Sequence, residues 1–289
     1  MNGKTMRFAA AVLTAWLASA PLRAADAKAP AGQELSAMDI VEKANRVAYY
    51  QGADGRAQVK MTITDAQSRT RTREMTILRW DQPDPKPKAD PKAEIKKDAF
   101  CGEQKFYVYF HQPADVSKMA FLVWKHLDKD DDRWLYLPAL DLLKRISSSD
   151  KRTSFVGSEF FYEDVSGRNI NADHHELVST SKTYYKLKST PKDDKSVEFG
   201  HYVTWIHRDT FIVVSQEYYD KKGEQYRQYK ALKMDKVQDF WTVTKSQMTD
   251  LRTKGHTILE YSGVTYDVGV PEDVFTERYL RRAPTAYLK

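Results

Sequence analysis

Val59-Lys60-Met61-Thr62-Ile63 alternates apolar and polar side chains, and a few residues on Met75-Thr76-Ile77 does the same. Successive side chains of a strand point to opposite faces, so a period of two marks a strand buried on one side and wet on the other. Phe106, Val108 and Phe110 repeat the pattern, and strands are expected again at 184–189, 202–207, 212–219, 225–234, 241–249 and 256–268. Between these runs stand short clusters of turn-forming residues, at 65–68, 112–115, 128–132, 191–194, 220–223 and 253–255. Connections that short join neighbouring antiparallel strands, so the chain reads as a meander.

Three segments break the period. Ser36 and Asp39 have capping-box spacing, and Ile40, Val41, Ala44, Val47 and Ala48 recur at helical intervals, which predicts an amphipathic helix over 36–49 that ends before Gly52 and Gly55. Residues 147–171 lose alternation and carry a helical piece at 159–165. A last short helix is expected after Pro271, with Asp273, Val274, Phe275 and Tyr279 packing back on the sheet. Residues 81–97 hold four prolines, alternating charge and almost no apolar side chains, the composition of a flexible insertion. An open twisted sheet of about ten or eleven long strands must curl or split. With few helices available to cover it, the predicted fold is α+β: a curved, incomplete antiparallel β-barrel whose concave face is plugged by helices.

The first residues read as a secretory signal peptide, 1–24. Lys4 and Arg7 precede an apolar run, 8–20, broken only by Thr14 and Ser19, and Leu22 and Ala24 stand at −3 and −1 of a small-residue cleavage site. The run is shorter than the roughly 20 apolar residues that span a bilayer. No cysteine stands at the junction to take a lipid, so the expectation is an exported, periplasmic protein without a lipid anchor, with one domain over 25–289. Mean hydropathy is −0.66. Without residues 1–24 the formal charge falls from +6 to +3, too small a bias to argue for nucleic acid. The single cysteine, Cys101, has no partner for an intramolecular disulfide and no neighbouring His or basic cluster to activate it, so a strand-edge thiol is the simpler reading.

Catalytic and metal signatures are weak. Asp128, Asp130 and Asp132 have the first spacings of a calcium loop, but Arg133 stands where its turn glycine belongs and Ala139 where its bidentate Glu belongs, which leaves a solvated hairpin tip. Asp173, His174 and His175 suggest a metal only until alternation is considered, since adjacent histidines on a strand face opposite ways. Val156-Gly157-Ser158-Glu159 lacks the second glycine of a nucleophile elbow. There is no phosphate loop, dinucleotide fingerprint or paired zinc spacing in 25–289, so the expectation is a protein that is not an enzyme and takes no cofactor or metal.

Large apolar side chains are the remaining signal: aromatic residues make up 12% of the chain, and Trp124, Trp134, Tyr136, Trp205 and Trp241 lie along the strands. Most must pack the core of a curled sheet. The rest can line a concave apolar hollow. The residues expected to line it are Met61, Ile63, Met75, Ile77, Phe106, Val108, Phe121, Val123, Trp134 and Tyr136, with Phe160 and Phe161 on the plug.

AFLVWKHLDKDDDRWLYLPAL at 120–140, RISSSDKRTSFVGSEFFYEDVSGR at 145–168 and VFTERYLRR at 274–282 together resemble the outer-membrane lipoprotein-sorting protein family, the LolA-like group. Within it the chain is most similar to the branch often encoded beside exporters of the resistance-nodulation-division (RND), MMPL-type, superfamily. The resemblance implies an incomplete barrel wrapped over helices, whose apolar cavity shelters the lipid moiety of a lipoprotein or another lipid crossing the periplasm. It implies two kinds of partner: a lipid or lipidated protein as cargo, and an inner-membrane exporter. The insertion at 81–97 and Cys101 depart from the family pattern. Two functions follow from the reading, a carrier acting in transport to the outer membrane and a docking module of the exporter that binds no lipid. An open apolar pocket of several hundred Å³ would favour the first, a hollow filled by its own side chains the second.

Overall fold

The computed structural model of the protein describes residues 35–83 and 102–289. The expected signal peptide at 1–24, Cys101 and all but the first residues of the expected insertion at 81–97 lie outside them. Asp81 itself ends a strand.

Thirteen strands form one sheet with every neighbouring pair antiparallel: β1 (Asp54–Thr64), β2 (Thr70–Asp81), β3 (Gln104–Gln112), β4 (Ala120–Lys125), β5 (Asp132–Leu137), β6 (Leu142–Arg145), β7 (Asp173–Thr180), β8 (Tyr184–Pro191), β9 (Phe199–His207), β10 (Val213–Asp220), β11 (Gln225–Val237), β12 (Phe240–Asp250) and β13 (Gly255–Tyr266). The order is β6-β5-β4-β3-β2-β1-β13-β12-β11-β10-β9-β8-β7, two meanders joined where β13 pairs with β1. The expected count of ten or eleven is too low. The edge strands β6 and β7 account for the difference: the first is four residues long, and the second, DHHELVST, is polar, so neither carries a period of two worth reading.

Turn chemistry fixes the hairpins. At the β1–β2 turn the Asp65 carboxylate accepts from the backbone N–H of Gln67 and Arg69, both at 3.0 Å, while Ser68 takes a left-handed conformation. Register then sets two rows across the sheet. On the inner face Ala57, Ile77, Val108, Phe121 and Leu135 lie side by side on five successive strands. On the outer face the row is Leu78, Tyr107, Leu122 and Trp134.

Each face has its own cover. On the inner face, helix α1 (Ala37–Tyr49), capped by the box of Ser36 and Asp39, packs Ile40 and Ala44 against Leu187 and Ile206. The chain must also travel from β6 at one edge to β7 at the other, and it does so over the inner face through 146–172, which contains helix α2 (Tyr162–Ser166). Phe155 and Tyr162 of this crossing pack against Phe121, with ring centroids 5.3 Å from it. On the outer face the C-terminal residues, with helix α3 (Glu277–Arg281), bury Val274, Phe275 and Leu280 against the Leu78–Trp134 row. The Tyr107 hydroxyl donates to the Tyr279 carbonyl and the Trp124 indole N–H to that of Phe275. The three helices lie where the sequence puts them, within a few residues.

Candidate functional site

Helix α1 covers β8 and β9, the crossing covers β1 to β5, and between the two the inner face is left bare. The gap is a cavity of about 410 Å³. Its walls come from nearly the whole sheet: Val59, Met61, Met75, Ile77, Phe106 and Val108 on one side, Leu187, Tyr202, Ile206 and Tyr218 on the other, Tyr229, Met248, Leu259 and Tyr261 as floor. Residues of β3 and β8, far apart in the strand order, can share one cavity only because the sheet curls around it. Val41, Ala44, Val47 and Ala48 of α1 and Phe155, Phe160 and Val165 of the crossing close it from above. Trp241 lines it and is still 43% exposed, which puts the indole at a mouth.

Of the residues expected to line the hollow, Met61, Met75, Ile77, Phe106, Val108 and Phe160 do. Ile63, Phe121 and Val123 share the inner face but are packed solid beneath the crossing. Trp134 and Tyr136 are on the wrong face. Phe121 pairs with Leu135, so Leu135 and Leu137 point inward and the two aromatics pack under the C-terminal segment. A strand's period of two makes this an all-or-none outcome. Phe161 turns away from the cavity and lies under the Arg227 guanidinium, 3.9 Å from its ring centroid.

At one end, where Asp164 and Arg168 reach the cavity wall, a strongly paired polar cluster adjoins it. Arg152 bonds Glu163 at 2.6 Å and grips both oxygens of Glu198, at 2.7 and 2.8 Å. Arg168 bonds both oxygens of Asp173, at 2.9 and 2.8 Å, and the Tyr202 hydroxyl donates to that carboxylate. Arg227, 1% exposed, donates to the Glu159 carbonyl and pairs with Asp164. Burial opposes the charge on Glu198, yet hydrogen bonds from Arg152 and Tyr226 with the Arg152 charge hold its pKa down to about 2. These pairs tie the crossing to β7, β11 and the chain leading into β9, so the polar end is a fastening, with charges matched inside the protein.

The other candidate chemistry resolves into ordinary contacts. Asp130 pairs with Lys151, Asp131 with Arg133, and Asp132 with Arg145 and His126, so the acidic loop is consumed by basic side chains. His174 is exposed while His175 lines the cavity, on opposite faces as alternation requires; the His175 nitrogens engage the Ser189 hydroxyl and the Ile170 carbonyl. The Ser158 hydroxyl donates to the Phe155 carbonyl at 2.7 Å. Among the described residues no group of three or more His, Cys, Asp or Glu could hold a metal ion, and no helix is long and apolar enough to cross a membrane.

A family model described as that of an uncharacterized protein matches residues 102–282, more than half of the chain. The chain belongs to that family. Solved structures similar to the chain include proteins of the lipoprotein-sorting, LolA-like kind that the sequence resembles. A DUF1329 family protein from Desulfovibrio piger is 27% identical with a TM-score of 0.73, over 84% of this chain and 97% of that one. A protein domain from Vibrio parahaemolyticus described as outer membrane lipoprotein-sorting is also 27% identical, TM-score 0.73, over 86% and 98%. A LolA superfamily protein from Nitrosomonas europaea, 19% identical, has the same fold, with a TM-score of 0.63 over 85% and 100%. No curated protein matches the chain.

In this family member the sequence reading missed half of the cavity wall, the β8–β13 side. The signal was present in α1: its apolar stripe of Val41, Ala44, Val47 and Ala48 needed a partner surface, and that surface had to be a second stretch of inner face.

Proposed function

We propose that the protein is a periplasmic carrier that shelters the acyl portion of a lipid or lipidated protein on its way to the outer membrane, without covalent chemistry, and receives its cargo beside an inner-membrane exporter of the RND/MMPL type. The carrying observation is the cavity. At about 410 Å³ it falls within the range of about 300 to 1,000 Å³ typical of pockets for small ligands, and its wall is mostly apolar. Each methylene moved from water into such a wall contributes about 0.8 kcal/mol, so ten of them supply roughly 8 kcal/mol before association costs, on the micromolar scale. The family relationship and the description of the Vibrio parahaemolyticus neighbour as lipoprotein-sorting support the same reading. Release requires the crossing or α1 to lift. The test is titration with a fluorescent fatty acid, read by probe emission and by quenching of Trp241 at the mouth. Saturable uptake that Val108→Trp abolishes in a folded protein is expected. No uptake would favour the exporter-docking module that binds no lipid.

A further inference from the structure

The inner face of β2 does not stay apolar. Following Ile77 and Met75 the same row continues with Arg73 and Arg71, and Arg73 lies directly across from Met61, a residue of the cavity wall. The Arg73 side chain is only 9% exposed. Its Nε and Nη1 are buried with no hydrogen-bond partner. Asp115 stands 3.9 Å from Nη1, at the limit of an ion pair, and is 71% exposed, so solvent screens it and leaves it free to swing away. Other buried arginines are each held by a well-buried carboxylate at close range, Arg152 by Glu163, Arg168 by Asp173, Arg227 by Asp164, Arg79 by Asp81 and Arg133 by Asp131, although Nε of the last two also lacks a hydrogen-bond partner. Arg73 therefore carries the desolvation cost of a buried guanidinium without the bonds that normally offset it. Burial pushes its pKa down, the Asp115 charge opposes that in part, and the neighbouring charge of Arg71 adds to the lowering. Above the guanidinium the crossing has Gly157, on which a Cβ would lie 3.8 Å from Arg73 Nη2, in ordinary van der Waals contact.

We propose that Arg73, with Arg71 beside it, seats an oxyanion, a phosphate or carboxylate, at the edge of the cavity. A planar guanidinium with free N–H groups matches such a group by paired hydrogen bonds, and a second positive charge on the same face strengthens the attraction. If the cavity holds an acyl tail, as the carriage reading above requires, this seat is where an anionic headgroup would rest. Cargo would then be chosen by charge as well as by apolar length.

The test compares a fluorescent long-chain fatty acid with its neutral methyl ester, and separately titrates inorganic phosphate by calorimetry, on the wild-type protein, Arg73→Gln and Arg71→Gln. Arg71 is exposed, so its substitution leaves folding intact even where Arg73→Gln does not. The wild type is expected to prefer the acid over the ester by about tenfold or more. Arg73→Gln should erase that preference while keeping ester affinity, and Arg71→Gln should reduce it. Phosphate binding that requires Arg73, with no acid-over-ester preference, would assign the seat to a free anion. Equal binding of acid and ester in all three proteins, without phosphate binding, overturns the seat and leaves carriage standing. If neither amphiphile binds, carriage fails, and Arg73-dependent phosphate binding or its absence alone supports or overturns the seat.

Discussion

Replacing Arg227 with Met should loosen the crossing from the sheet by an amount that the structure allows to be worked out. The guanidinium is 1% exposed, donates to the Glu159 carbonyl at 2.8 and 3.2 Å, pairs with Asp164 and lies on the Phe161 ring. Met keeps much of the volume and none of the bonds. Asp164, 17% exposed, would retain the Phe161 N–H at 2.6 Å but lose its counter-charge. Removing one partner of a buried pair costs about 3–5 kcal/mol, most of it from the stranded charge. For a domain of this size each kcal/mol moves Tm by about 2–4 °C, so the expected fall is roughly 6–20 °C. Thermal denaturation followed by circular dichroism measures it. The double variant Arg227→Met, Asp164→Asn strands no charge and should lose less than Arg227→Met alone. A single-variant loss below about 1 kcal/mol, or a double variant as damaged as the sum of the two singles, would refute the reasoning.

Other expectations follow from the same geometry. Lys125 is buried, its Nζ donating to the Ser166 carbonyl at 2.7 Å, and burial, opposed in part by the Asp131 charge, lowers its pKa from 10.5 to about 8. The unfolded chain therefore holds that proton more tightly above pH 8, so Lys125 by itself adds on the order of 1 kcal/mol to stability between pH 8 and 9; the difference in urea stability between wild type and Lys125→Met should change by that amount over this interval. From about pH 9 upward the raised pKa values of the buried tyrosines, Tyr226 among them, turn the overall stability downward, because the unfolded chain gives up those protons first. Asp54 accepts the backbone N–H groups of Val268, Gly269 and Val270, so Asp54→Ala should cost about 3 kcal/mol and open the chain after 267 to limited proteolysis. Trp134→Leu removes packing from the outer face and should lower stability by about 1–3 kcal/mol, while fatty-acid affinity stays unchanged in the same preparation.

Much of the architecture was legible because alternation is a local property. Val59, Met61 and Ile63 declare a half-buried strand by themselves, and Ser36 with Asp39 declares a helix start. The face a strand turns inward is a matter of register with its neighbour, and one step of slip exchanged Leu135 for Trp134 and Tyr136. Ile63, Phe121 and Val123 show a second limit: sequence separates buried from exposed, but packed core and cavity wall have the same composition. The fastening at the polar end was invisible for a third reason. Arg152 meets Glu198 46 residues away, and Arg227 meets Asp164 across 63, distances at which no spacing rule operates.

Whether the hollow carries acyl chains is tested most directly by native mass spectrometry of the protein isolated from cells without detergent, followed by analysis of extracted lipid. The account predicts a mass increment from an acyl-bearing molecule near one per protein, lost in Val108→Trp. A bare protein mass that stays unchanged after incubation with membrane lipid would contradict it.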